Sequence, residues 1–359
     1  TIEDFFMTSM ASQLESLAFI NEGSTNRKQI LAKFLDLEIF EKNLETMKSI
    51  RPGSSLRPLV KAFKSTDIAA ILKQAGYSGF CCATIKELEG LAANGLGDDL
   101  LLANETLNAS RLRSLVDHGV EVIVAVDSTE TIDAAKDGGI RNVLIDVNVG
   151  LPRCGCDLNE VEILSGYARR KGLNIKGVMG YEGHLMFTPD KADRKRGVAE
   201  AMQVLQEAHS ITGGDIISAG GTGTFDLNEL ATEIQAGSFL FMDTRYSTVG
   251  LPFEESLTIV STVISIERDR KRAVCDAGVK SFATDYGKPK LEDGVIEFCS
   301  DEHSTILPTE PRGDLAFQVG DLIHLRVPHV DPTIAKHSRL ACSQEGYIYG
   351  DWKVDLRGW

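Results

Sequence analysis

GFCCATIKELEGLAANGLGDDLLLAN, residues 79–104, is the stretch on which the fold turns. Two short apolar runs, GFCCAT (79–84) and DLLLAN (99–104), flank IKELEGLAANG (85–95), whose apolar residues recur at helical spacing. Strand, helix and strand in that order predict a parallel pair joined by a helical crossover.

The same rhythm runs outward in both directions, from about residue 31 to 245. Further strand candidates are KFLDL (33–37), PLVKAF (58–63), EVIVAVD (121–127), NVLIDVN (142–148), IKGVMGY (175–181), DIISAGG (215–221) and SFLFMD (238–243). Helix candidates include DLEIFEKNLETMKSI (36–50), STETIDAAKDGG (128–139) and DKADRKRGVAEAMQVLQEAHS (190–210). Eight or so such units in about 210 residues predict a closed (β/α)8 barrel of the TIM type rather than an open sheet. No Gly-x-Gly-x-x-Gly follows the first strand, which weakens a dinucleotide-binding reading. Beyond about residue 255 the segments LTIVSTVISIE, RAVCDAG, VIEFCS, LIHLRV and GYIYGDWKV are β-rich and nearly without helical period. The expected division is an N-terminal helical extension (1–30), a barrel (31–252) and a mainly antiparallel β domain (253–359), with the N-terminal segment packing on the body or on a partner subunit.

With 359 residues the chain can bury a large core. Its net charge of -14 argues against nucleic acid or an anionic membrane as the main partner, while leaving room for an anionic ligand in a local basic pocket. The seven cysteines, at 81, 82, 154, 156, 275, 299 and 342, form no C-x-x-C pair and read as reduced thiols of a cytoplasmic protein. No run of about 18 apolar residues predicts a membrane span. TIEDFFMTSMASQLESLAFI, at the start, is too acidic and polar for a secretory signal and reads as an amphipathic helix.

Barrel chemistry sits at the C-terminal ends of strands. In RPLVKAFK (57–64), Lys61 lies in an apolar strand and shares one face with Leu59 and Phe63 by period 2. Burial would lower its amine pKa, as a Schiff-base lysine needs, although a snorkelling or salt-bridged lysine fits the same pattern. SAGGTGT (218–224) offers backbone amides and the hydroxyls of Thr222 and Thr224 to an anion, before a helix-like stretch DLNELATEIQAG whose N-terminus would add a favourable dipole. Gly237 and Ser238 form a second such loop, and the absence of Gly-Lys-Ser/Thr excludes a nucleotide P-loop. In PHVDPT (328–333), His329 and Asp331 would project from one side of an extended segment and could hold a divalent cation. Arg153 in LPRCGC could meet a phenolate or carboxylate, and Tyr181 in GYEGH ends a strand. SDEH (300–303) is a further polar cluster.

Taken in order, DLEIFEKNL, RPLVKAFK, ATIKELE, VGLPRCG, GYEGH, AGGTGT, MDTRY, DAGVK, SDEH, HVDPT and WKVDLRG resemble the D-threonine aldolase and eukaryotic-type D-serine dehydratase family, over about residues 33–359. The resemblance implies an alanine-racemase-like fold and a pyridoxal-phosphate lyase. Lys61 then looks like the Schiff-base lysine. Gly221, Thr222, Gly223, Thr224, Gly237 and Ser238 look like the phosphate cradle. Tyr181 is similar to the tyrosine facing the ring nitrogen, and Arg153 to the arginine near the ring hydroxyl. His329 and Asp331 look like the ligands of a divalent metal (Mn, Mg or Zn). It also implies a homodimer, the β domain of one chain closing the other's barrel.

The implied reaction is aldol cleavage of a D-threonine-like β-hydroxy D-amino acid to glycine and an aldehyde. The alternative within the family is dehydration of D-serine or 3-hydroxyaspartate to a 2-oxo acid and ammonia. Aspartate at 331, where D-serine dehydratases tend to carry cysteine, favours the aldolase modestly. Readings of another class are an amino-acid racemase and a non-catalytic pyridoxal-phosphate-binding protein. The sequence departs from the family at the lysine motif, usually RPHxKTHK, where Leu59 and Phe63 replace both histidines. Phe187 stands where a later histidine is common, with His184 nearer the tyrosine.

Overall fold

The computed structural model describes residues 34–267, 269–310, 315–344 and 347–358. The expected N-terminal helical extension, 1–30, lies outside them. The chain divides into two compact units, one of residues 46–239 with 355–358, the other of residues 34–45 with 240–354.

The first unit carries seven parallel strands that pair in chain order: β2 (Phe80–Cys82), β3 (Leu100–Leu102), β4 (Val122–Val126), β5 (Asn142–Asp146), β6 (Asn174–Gly180), β7 (Ile216–Ala219) and β8 (Glu233–Ile234). Strands β2 to β4 are buried throughout, which is why they read as unbroken apolar runs. Helices start where the sequence supplies caps. Thr84 and Glu87 form a capping box for Ile85–Ala93, and the Ser65 hydroxyl accepts from Ile68 N ahead of Thr66–Gln74. The eighth position in the ring is filled by residues 56–59. Leu56 bridges to Ile234 and Leu59 to Cys81, both parallel, so this segment joins β8 to β2 and closes the barrel. Leu59 N donates to Ala236 O at 3.0 Å, and Cys81 N to Pro58 O at 2.9 Å. Inside the ring, Cys81, Leu101, Ile123, Ala125, Leu144 and Met179 pack together with Leu59 against them. Buried Arg57 clasps the seam, donating to Glu233 and Asp99 at 2.8 Å each.

The second unit is an eight-stranded sheet in the order β11 (Val295–Cys299), β12 (Ser304–Leu307), β10 (Arg272–Cys275), β9 (Leu257–Glu267), β1 (Phe34–Asp36), β14 (Arg339–Gln344) and β15 (Tyr347–Lys353), with β13 (Leu322–Arg326) also on β9. Every pair is antiparallel except β1 with β14. In β13 burial alternates residue by residue, and Ile323 and Leu325 enter a core with Ile259, Val263, Phe282 and Ile306.

Four sequence expectations change. KFLDL supplies β1 of the second sheet and no barrel strand, because Phe34 and Leu35 pair with β9 and β14. SFLFMD is a one-turn 3-10 helix, Ser238–Leu240, followed by irregular chain. Its apolar run reflects complete enclosure of Phe239, Leu240 and Phe241, and Met242 breaks extension with φ 52. DLNELATEIQAG is turns followed by β8, since the buried Glu233 is held by Arg57 and by the Ser218 hydroxyl. The units divide between Phe239 and Leu240, earlier than the expected boundary at 252.

Candidate active site

Lys61 stands just beyond the strand segment 56–59, on the single 3-10 turn Val60–Ala62. This corrects the reading of Lys61 in mid-strand. The turn separates the three residues: Leu59 packs into the barrel interior, Phe63 is fully buried, and Lys61 is partly exposed at the strand's C-terminal end. Reactive groups of β/α barrels occupy that place. Burial pushes the Cys81 thiol up, with the charges of Arg57 and, least of the causes, Lys61 opposing.

Close packing connects this turn to the remaining barrel candidates. A β-carbon on Gly237 would collide with Leu59 O and stand 3.0 Å from Ala62 Cβ, so the Gly237–Ser238 loop lies on the Lys61 turn. Phe239 N donates to the Thr222 hydroxyl at 3.2 Å, which ties that loop to Gly221–Thr224. A β-carbon on Gly221 would meet Tyr181 Cε2 at 3.4 Å and Met186 Sδ at 2.8 Å, and one on Gly223 would strike Met186 O. Tyr181 follows β6, and the Arg153 guanidinium lies 5.3 Å from its ring centroid. Lys61, Gly237, Ser238, the 221–224 loop, Tyr181 and Arg153 therefore form one connected set.

Two parts of the anion-site reading change. No helix follows the glycine loop, so no helix dipole acts there. The Thr224 hydroxyl already donates to Glu182 Oε1 at 2.8 Å. Glu182, fully buried, also accepts from Gly220 N at 3.1 Å and from Asn228 Nδ2 at 3.5 Å, and so fixes the loop's shape. The amides of Thr222 and Gly223 have no partner among the described residues, which leaves them to an anion. Glu182 lies within GYEGH, but nothing in the sequence around it signals that role.

Beside Arg153 the rim is acidic. Glu105, Asp127 and Cys154 bring ligand atoms within 4.8 Å of one another. Burial, reinforced by Glu105, holds the Asp146 carboxyl well above the usual carboxylate range, with Arg153 opposing. Burial and Glu105 also push the Cys154 thiol up to about 11.

In the second unit, His329 is extended, with φ -149, but Val330–Ile334 is a short helix. The period-2 argument for His329 and Asp331 therefore fails. They stand instead at the N-cap and in the first turn of that helix. His329 Nδ1 lies 2.5 Å from Asp285 Oδ2, and its ring packs on Tyr286 at 4.6 Å. Asp243, fully buried, accepts from Val330 N at 3.0 Å, Arg245 N at 3.1 Å and Tyr246 N at 2.8 Å. Burial pushes its carboxyl up to about 6, against the pull of the Tyr246 and Val330 amides. Asp243 lies within MDTRY, yet neither it nor Asp285 carries a sequence signal of these contacts.

The Alanine racemase, N-terminal domain family matches residues 35–245, and a serine dehydratase domain model matches residues 256–343. D-threonine aldolase of Arthrobacter sp is 30% identical over 351 residues, covering 90% of this chain and 91% of that enzyme. This chain belongs to the D-threonine aldolase and D-serine dehydratase family. A 3-hydroxy-D-aspartate aldolase of Paracoccus denitrificans is also 30% identical, over 90% of this chain and 91% of its own length. The crystal structure of D-threonine aldolase from Filomicrobium marinum superposes with a TM-score of 0.84 at 27% identity, covering 91% of this chain and 95% of that one. As a member of this family the chain is a pyridoxal-phosphate-dependent lyase with the alanine-racemase-like barrel. Among the described residues no helix is long and apolar enough to cross a membrane.

Proposed function

We propose that the protein cleaves β-hydroxy D-amino acids of the D-threonine type to glycine and an aldehyde, using pyridoxal phosphate and a divalent metal ion. The observation that carries this is the unbroken line of contacts from the Lys61 turn through Gly237 and the 221–224 loop to Tyr181 and Arg153. The residues fit both groups. A lysine amine, two unpartnered loop amides, a tyrosine and an arginine suit a phosphorylated aromatic aldehyde. An imidazole and a carboxylate suit Mn, Mg or Zn. When bound, the cofactor is an electron sink at the substrate's α carbon and the metal polarises its β-hydroxyl.

Lys61 would hold the cofactor covalently. The amides of Thr222 and Gly223, with Ser238, would take its phosphate, and Tyr181 and Arg153 would orient its ring. His329 and Asp331 would supply the metal's nitrogen and oxygen donors, with water or substrate completing the shell. In a homodimer of the family's kind, the β unit of one chain would cover its partner's barrel.

Dehydration is the second reading, because a D-threo-3-hydroxyaspartate dehydratase of Delftia sp. is 28% identical over 77% of this chain. There Lys61 would remove the α-proton, and hydroxide would leave.

Incubating the enzyme with D-threonine and with D-serine, with and without Mn²⁺, separates the readings. Glycine and an aldehyde formed from D-threonine support cleavage. A 2-oxo acid and ammonia support dehydration. Turnover undiminished by a chelator removes the metal from the mechanism, and a racemised amino acid as sole product overturns both readings.

A further inference from the structure

The structure assigns to Asp285 the task of positioning His329 as a metal ligand, an inference that rests on the proposed metal-binding role of His329 and Asp331. Asp285 Oδ2 lies 2.5 Å from His329 Nδ1. A carboxylate has only acceptor oxygens, so this contact requires Nδ1 to carry the proton. In the neutral ring this leaves the lone pair on Nε2, the form in which an imidazole binds a cation. Two further contacts keep the ring from turning. Tyr286 covers it with ring centroids 4.6 Å apart, and the Arg245 guanidinium sits 5.6 Å from the centroid of Tyr286. Val330 N, the amide next in the chain, is held by the buried Asp243 carboxylate at 3.0 Å. The imidazole is thus fixed at one nitrogen, at one face and at its backbone. Asp285 belongs to the segment that follows DAGVK, 44 positions from His329, and has a half-exposed side chain with no core to stabilise. Orienting His329 is what its placement accomplishes.

The test is direct Mn²⁺ binding to the full-length, cofactor-loaded enzyme by titration calorimetry, with thermal melts and the visible cofactor spectrum alongside. Asp285→Ala should weaken Mn²⁺ binding by about 10- to 100-fold, the range seen when outer-shell partners of ligating histidines are removed. Asp285→Asn, which can still accept the Nδ1 proton, should recover part of that loss. Melting temperature without metal and the cofactor spectrum should stay those of the parent, which a merely structural role would not predict. Mn²⁺ affinity unchanged in Asp285→Ala overturns the assignment, provided His329→Ala abolishes binding. A parent that binds no Mn²⁺, or a His329→Ala variant that binds it normally, overturns the metal reading and the role of Asp285 with it.

Discussion

At the barrel rim, side chains are placed by the absence of atoms. Gly237 rests against Leu59 O, and Gly223 against Met186 O, at separations no β-carbon could share. At the His329 turn, they are placed by charge, with Asp243 accepting from three backbone amides and Asp285 from the imidazole. A site assembled from the ends of many barrel strands can be shaped by packing, because those strands already converge. A turn at the end of a sheet strand has no such convergence, and the carboxylates of Asp243, buried, and Asp285, half-exposed, supply it. The first region should therefore be sensitive to volume and the second to hydrogen-bond chemistry.

The largest effect tests the centre of the rim. Lys61→Ala should cut turnover by at least about 10³-fold and remove the visible absorbance of bound cofactor, since both the covalent tether and a proton-transfer group are lost. A retained band in the spectrum would refute Lys61 as the tether. Next, Asp243→Ala leaves the amides of Val330 and Tyr246 without their acceptor and should cost about 3 kcal/mol in denaturant unfolding. Asp243→Asn keeps the volume but turns one acceptor towards those amides into a donor. If it proved as stable as the parent, the contrast between the regions would collapse. Gly237→Ala adds one methyl group and no charge. It should cost about 2 kcal/mol and weaken cofactor binding several-fold by shifting the Lys61 turn, which equilibrium dialysis would show. Normal cofactor affinity in that variant would break the volume half of the comparison. The smallest effect is chemical. Cys154 is exposed, yet its raised pKa of about 11 leaves little thiolate at pH 8, so iodoacetamide should label it tens of times more slowly than an ordinary thiol, and Glu105→Gln should speed the reaction.

The barrel was legible because its strands are buried on both faces and its helices are capped by Ser65, Thr84 and Ser128 close to where they begin. What misled were apolar runs whose conformation is decided elsewhere. The stretch 226–237 has helical spacing, but Arg57, 176 positions away from Glu233, pulls that residue into a strand. Phe34 and Leu35 read as the first barrel strand because nothing local tells them that β9 and β14 are free to pair with them. Lys61, Tyr181 and Arg153 were visible as motif residues. Glu182 and Asp285 were not, because each acts through a hydrogen bond to a group 38 and 44 positions distant, respectively.

The 3-10 turn at Val60–Ala62 also constrains redesign. The family's lysine motif usually places histidines where this chain has Leu59 and Phe63, and an engineer wishing to broaden the substrate range would restore both. Only one substitution can reach the chemistry. Leu59 borders the barrel interior, whereas Phe63 is sealed in the core with no exposed surface. A histidine at 63 would be a stability defect without catalytic return, so grafting should start, and stop, at 59.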